Sequence, residues 1–246
     1  MPTPTRKIAL VTGANKGIGR AIAAQLAKTG MTVLLGARNA AAGEEAAAQL
    51  REDNDNLDVQ FLHLDLVQPA TIEAAAASIA SRFQQLDVLV NNAAIVDPAD
   101  GPPGTANLNS VKRILDTNFH GTLAVTQAML PLLRKAEQAR IVNLSSGLGS
   151  LEMNSDPKWG FADFKLIGYC ASKAALNMMT VQLAYELRDT GIKVNAVSPG
   201  FVDTDMNQHR GTLTVEQGAA EPVRLALLAS DGPTGGFFGE GGTYPW

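Results

Sequence analysis

The residues best suited to chemistry in this 246-residue chain lie in one short run, GYCASKAAL, where Tyr169 and Lys173 stand four apart. On a helix that spacing brings both side chains to one face. A phenol with its ordinary pKa of about 10 is a poor acid or base at neutral pH. An adjacent ammonium favours the phenolate, and so is expected to lower that pKa and let Tyr169 exchange a proton with a substrate oxygen. Ser146, the second serine of LSS at 144–146, closes a strand-like run and can hold the same oxygen. A tyrosine–lysine pair alone is common on helix surfaces. Its meaning depends on what stands beside it.

What stands beside it is a glycine turn. Residues 12–19 read TGANKGIG, with Gly13, Gly17 and Gly19 spaced G-x3-G-x-G after a strand-like run and before a helical one. Glycine serves where backbone bends sharply or approaches a ligand closely. The amides and dipole of a helix N-terminus favour a pyrophosphate. In NAD-binding turns a carboxylate about 20 residues past the glycines holds the ribose 2′-hydroxyl. Here the second strand ends in GARN, with Arg38 and no acid. The arginine fork suits a 2′-phosphate, and Lys16 can approach the same group from the turn. Together they point to NADP(H). Asp65, in HLDL, either accepts from an adenine amino group or caps the following helix.

The rest of the chain supplies elements to hold these groups. Strand-like runs at 7–13, 32–37, 59–65, 87–93, 139–146, 193–200 and 236–241 alternate with helical patterns near 17–29, 40–53, 69–84, 108–136, 167–190 and 214–229. Continuously apolar strands suit a parallel sheet buried on both faces. Strict alternation predicts an α/β fold, a single doubly wound domain over 1–246 with about seven strands and helices on both faces. Ligands then bind beyond the carboxyl ends of the strands, where TGANKGIG, NNAA, LSS and SPG all fall. The segment 147–166 has no clear period, and its Trp159, Phe161 and Phe164 are either the wall of a substrate-side flap or aromatics of a passive surface loop.

Composition excludes several classes. A net charge of −4 argues against nucleic acid or an anionic membrane as the main partner. The single cysteine, Cys170, permits no internal disulfide, and His63, His120 and His209 share no metal-ligand spacing. No signal-like segment opens the chain, so the expectation is a cytoplasmic, metal-free protein acting on a small molecule.

Jointly the motifs resemble those of the short-chain dehydrogenase/reductase family over nearly the whole chain. They comprise TGxxxGxG at 12–19, NNAA at 91–94 in place of NNAG, Asn118, Ser146, YxxxK at 169–173 and PG at 199–200. TGANKGIG, LLGARN and ALLASDGPTGGFF resemble the NADPH-dependent carbonyl reductases in particular. The resemblance implies a Rossmann-type fold. It implies Tyr169 as general acid, Ser146 positioning the carbonyl, and Lys173 binding the nicotinamide ribose. Asn118 would hold a water of a proton relay. Gly13, Asn15, Lys16, Gly17, Ile18, Gly19, Arg38, Asp65, Leu66, Asn92, Ala93 and Ala94 would line the cofactor, with Pro199, Gly200, Val202 and Thr204 around the nicotinamide. The gap from Ser146 to Tyr169 is longer than in the shortest members and shorter than the insertion of monomeric carbonyl reductases.

The expected activity is hydride transfer from NADPH to a ketone or aldehyde, reversible as alcohol oxidation, with 201–218 as a substrate loop. Relatives associate through their two long helices, so a dimer, a tetramer and a monomer all stay open. A reading from another class is an NADP-binding sensor without turnover, against which Tyr169 and Lys173 both count. Epimerase-like chemistry is a third reading, and the 46 residues after Gly200 are few for the larger substrate domain it usually carries.

Overall fold

The computed structural model describes residues 6–53 and 57–246. Eight strands form one sheet: β1 (Ile8–Thr12), β2 (Thr32–Ala37), β3 (Val59–His63), β4 (Val88–Asn91), β5 (Arg140–Leu144), β6 (Lys193–Val197), β7 (Phe237–Gly239) and β8 (Gly242–Thr243). Their order is β3-β2-β1-β4-β5-β6-β7-β8. The first seven are parallel, and β8 folds back antiparallel on β7. The expected run 236–241 is thus a hairpin, because Gly241 and Gly242 both adopt positive φ, and eight strands replace about seven.

Period-two alternation splits the apolar strand residues between two cores. Ala9, Val11, Val33, Leu35 and Val90 pack with α1 (Gly17–Lys28), α2 (Ala40–Glu52) and α8 (Val215–Ala226). Ile8, Leu10, Leu34, Leu89 and Ile141 pack on the other face with α3 (Pro69–Phe83), α5 (Thr122–Leu133) and α7 (Ile167–Glu186). Burial on both faces is what keeps a parallel sheet stable. β1 and β4 lie side by side while their following helices lead to opposite faces, so the crevice opens above their carboxyl ends.

The helical pattern over 108–136 is not one regular helix. α4 (Leu108–Leu115) passes through a π-helical turn, Asp116–Gly121, before α5 begins. A wide turn of this kind is a local feature often found at functional sites. Gly121 fits beneath it against the Leu66 carbonyl, where a Cβ would collide. The segment after β5 holds a single 3-10 turn at Gly147–Gly149 and a short helix α6, Leu151–Ser155. Buried amides tie the site's strands together: Asn91 donates to Asn143 at 2.8 Å, and Asn143 to Thr180 at 2.9 Å.

Candidate active site

The glycine turn is fixed by Thr12. Its hydroxyl accepts from the Asn92 and Ala93 amides, both at 3.0 Å, while the Asn92 side chain donates to the carbonyls of Thr12 (2.8 Å) and Gly13 (3.0 Å). Gly13, at φ +62, runs so close to Ala93 that a Cβ would sit 2.8 Å from its Cα. A Cβ on Gly19 would strike the Asn92 amide and the Gly13 carbonyl. These glycines therefore seat the turn on the end of β4. Gly17 differs: its φ of +57 shapes the turn, and its open side faces Thr204. Asn15 and Ile18 are half-buried in the turn, with Ile18 against the core.

Among the described residues no side chain caps the first turn of α1, so its amides are available to an anion. This suits a pyrophosphate. Lys16 precedes that turn, but its ammonium lies 2.6 Å from Asp205 Oδ2, in a pair whose side chains are 68% and 58% exposed. Arg38 is exposed, and among the described residues its guanidinium has no hydrogen bond or ion pair. The two cations read from the sequence thus do not share a partner. Asp65 holds the turn into α3, accepting from the Val67 amide at 3.1 Å and the Gln68 side chain at 3.2 Å. These contacts brace the turn before the helix, whose N-cap is Gln68. Leu66 is buried, and Ala94, which follows β4, is partly exposed.

The strand-end serines take separate tasks. Ser145 is buried and donates to Asn177 Oδ1 at 2.6 Å. Ser146 is half-buried, and its hydroxyl accepts from the Leu148 amide at 3.2 Å. It is the member that reaches Tyr169. Lys173 is buried, donates to the Leu144 carbonyl at 2.7 Å, and lies 5.6 Å from the centre of the Tyr169 ring. Gly149 lets the chain press directly against Lys173.

The electrostatics differ from expectation. Tyr169 keeps part of its surface open, yet the surrounding protein raises the phenol to about 12; the Ser146 hydrogen bond opposes this rise and Cys170 adds to it. Burial also lowers the Lys173 ammonium to about 8. Desolvation therefore outweighs the attraction of the ammonium for a phenolate. Tyr169 is a protonated donor throughout the neutral range.

Asn118 sits in the π-turn and is buried. Its Oδ1 accepts from the Ile95 amide at 2.8 Å, and Nδ2 donates to the Ile95 carbonyl (3.0 Å) and to Ser172 Oγ (3.1 Å). Both amide hydrogens are committed, so the side chain braces the site. On the far side, Pro199 and Gly200 follow β6, with Gly200 at φ +84. Val202 is buried and bridges to Leu213. Thr204 caps a short turn, Asp205–Asn207, above the glycine loop.

Sequence reasoning missed several contributors. Asp100, Ser172 and Asn177 take part in long-range hydrogen bonds that no spacing reveals. Phe201 joins Phe161 edge-on at 5.6 Å, and Phe161 also meets Trp159 and Phe164 at 5.6 and 5.5 Å. The aromatics of 147–166 and 201–218 thus form one cluster. Trp159 lies over Gly147, next to Ser146.

The comparisons agree with this geometry. The family model described as short chain dehydrogenase matches residues 7–213. The (+)-neomenthol dehydrogenase of Arabidopsis thaliana is 35% identical, with 97% of each chain covered. The solved salutaridine reductase of Papaver somniferum superposes with a TM-score of 0.82 at 31% identity, covering 96% of this chain and all of that one. An NADPH-bound carbonyl reductase from chicken fatty liver gives 0.84 at 30% identity over 98% and 99% of the two chains. Among the described residues no helix is long and apolar enough to cross a membrane.

Proposed function

The chain belongs to the short-chain dehydrogenase family, and on that premise we propose that it is an NADPH-dependent reductase of apolar, ring-bearing ketones. The observation that carries the reading is the convergence of Ser146, Tyr169 and Lys173 at the strand ends beside an uncapped glycine-turn helix. The nicotinamide, when bound, supplies the hydride. The Ser146 hydroxyl holds the carbonyl oxygen, and Tyr169 gives its proton to that oxygen as charge develops. Lys173 keeps two donors beyond its bond to Leu144, enough to hold a ribose hydroxyl.

The phosphates fall to the chain's own cations and amides. Amides of Gly17, Ile18 and Gly19 would hold the pyrophosphate, and Arg38 would hold the 2′-phosphate with its fork. Lys16 assists by leaving its solvent-exposed pair with Asp205, which water already weakens. The NADPH named for the chicken carbonyl reductase supports this choice.

The segments 147–166 and 201–218 act as two walls of the substrate opening, joined through Phe161 and Phe201. Their rings favour apolar cyclic substrates, as do the names of the neomenthol and salutaridine enzymes. The test is NADPH consumption with cyclic and open-chain ketones of equal carbon number. A higher kcat/KM for the cyclic series is expected; equal values would remove the aromatic walls from the account.

A further inference from the structure

α7 carries Tyr169 in its first turn, and its own N-cap, Leu166, contributes no side-chain hydrogen bond. The first amides are instead taken by a segment sixty-odd residues away. Gly101 O accepts from the Ile167 amide at 3.0 Å. Asp100 Oδ1 accepts from the Gly168 amide at 2.9 Å, and Asp100 Oδ2 from the amide of Tyr169 itself at 2.9 Å. One carboxylate thus holds two consecutive amides with separate oxygens, which are charge-assisted and directional bonds. The same segment is pinned to α4 by the Arg113 guanidinium on Asp97, with Nε at 3.1 Å.

The tyrosine's carbonyl is held locally, one turn along α7, by a serine that a residue of the π-turn braces. Ser172 Oγ donates to the Tyr169 carbonyl at 2.7 Å, and Asn118, anchored on Ile95, donates to Ser172. The amide of Tyr169 is therefore held by Asp100 from the segment after β4, and its carbonyl by Ser172 of α7, which Asn118 in turn braces. We propose that Asp100 is a positioning residue for catalysis, fixing the first turn of α7 so that the Tyr169 hydroxyl meets the substrate oxygen at Ser146. This rests on the assignment of Tyr169 as the acid. Asp100 touches neither reactant. Displacing a reacting group by about 1 Å costs roughly a hundredfold in rate, so the effect belongs in kcat.

The decisive variant is Asp100→Asn, which keeps the shape but turns an N–H toward one of the two amides. We expect kcat to fall about tenfold to a hundredfold, with the KM for ketone and the Kd for NADPH, read by nucleotide fluorescence, essentially unchanged. Asp100→Ala should fall at least as far. Wild-type kcat in Asp100→Asn would overturn the proposal. So would a loss of kcat matched by an equal loss of NADPH affinity, since that marks general disruption of the fold. Tyr169→Phe, run alongside, separates the two claims. If it turns over normally, the acid assignment itself fails; if it is inactive while Asp100→Asn is normal, only the positioning role fails.

Discussion

The two serines at the end of β5 invite a paired experiment, because one-residue ambiguity is resolved by structure into two different losses. Ser145 donates to Asn177 Oδ1 at 2.6 Å inside the protein, and Asn177 in turn donates to the Gly149 carbonyl at 3.2 Å. Ser145→Ala leaves the Asn177 oxygen without its donor. A buried acceptor so stranded costs about 1–3 kcal/mol. For a chain of this size each kcal/mol lowers Tm by roughly 2–4 °C, so a drop of about 2–12 °C is expected. Turnover should stay within the wild-type order of magnitude. Ser146→Ala removes a half-buried hydroxyl whose neighbour, the Leu148 amide, water can serve. Its stability cost is under about 0.5 kcal/mol. Losing a hydrogen-bond donor to the developing oxyanion should cut kcat by about 10²–10³. Thermal melts and steady-state rates on the two variants read both quantities. The reasoning is refuted if Ser145→Ala abolishes turnover at unchanged Tm while Ser146→Ala only melts earlier.

Three further outcomes follow from the same geometry. Lys173, held near 8 in the fold against an ordinary 10.5, leaves the unfolded chain binding more protons between those values, so its contribution to stability rises with pH across that window. Above about 10 the raised Tyr169 acts oppositely, since the fold then keeps a proton the unfolded chain has lost. The Tm difference between wild type and Lys173→Met should therefore grow from pH 8 to 10, and a flat difference would contradict the burial argument. Arg38→Ala removes the exposed fork, and NADPH affinity should fall about tenfold to a hundredfold, the worth of a charged hydrogen bond, with NADH affinity unchanged. Equal losses for both nucleotides would show that Arg38 does not read the 2′-phosphate. Phe161→Ala takes away the ring that joins Trp159, Phe164 and Phe201, so KM for a cyclic ketone should rise several-fold at nearly constant kcat. An unchanged KM would place the cluster outside the substrate path.

Local signals carried the fold well, because continuous apolar strands and alternating helices declare a two-faced parallel sheet. What local signals missed was set by distant contacts. The π-turn around Asn118 depends on Ile95, Ser172 and the close passage of Gly121 over Leu66, and no periodicity in 108–136 announces it. The closing hairpin escaped notice because two residues of strand carry too little pattern to be seen. At the site, motif spacing located Ser146, Tyr169 and Lys173 but misjudged their electrostatics. Spacing shows that an ammonium is near a phenol; it does not show how deeply both are buried, and burial decides the sign here. Lys16 is a similar case, since its partner Asp205 lies 189 residues away.

The central claim is that Tyr169 gives a proton to a carbonyl oxygen while NADPH is oxidised. Its most direct test is loss of reduced-nicotinamide absorbance with a cyclic ketone, using wild type and Tyr169→Phe with NADPH and with NADH. The account predicts turnover by wild type with NADPH, little with NADH, and none by Tyr169→Phe, which should still bind NADPH. Undiminished turnover by Tyr169→Phe would contradict it.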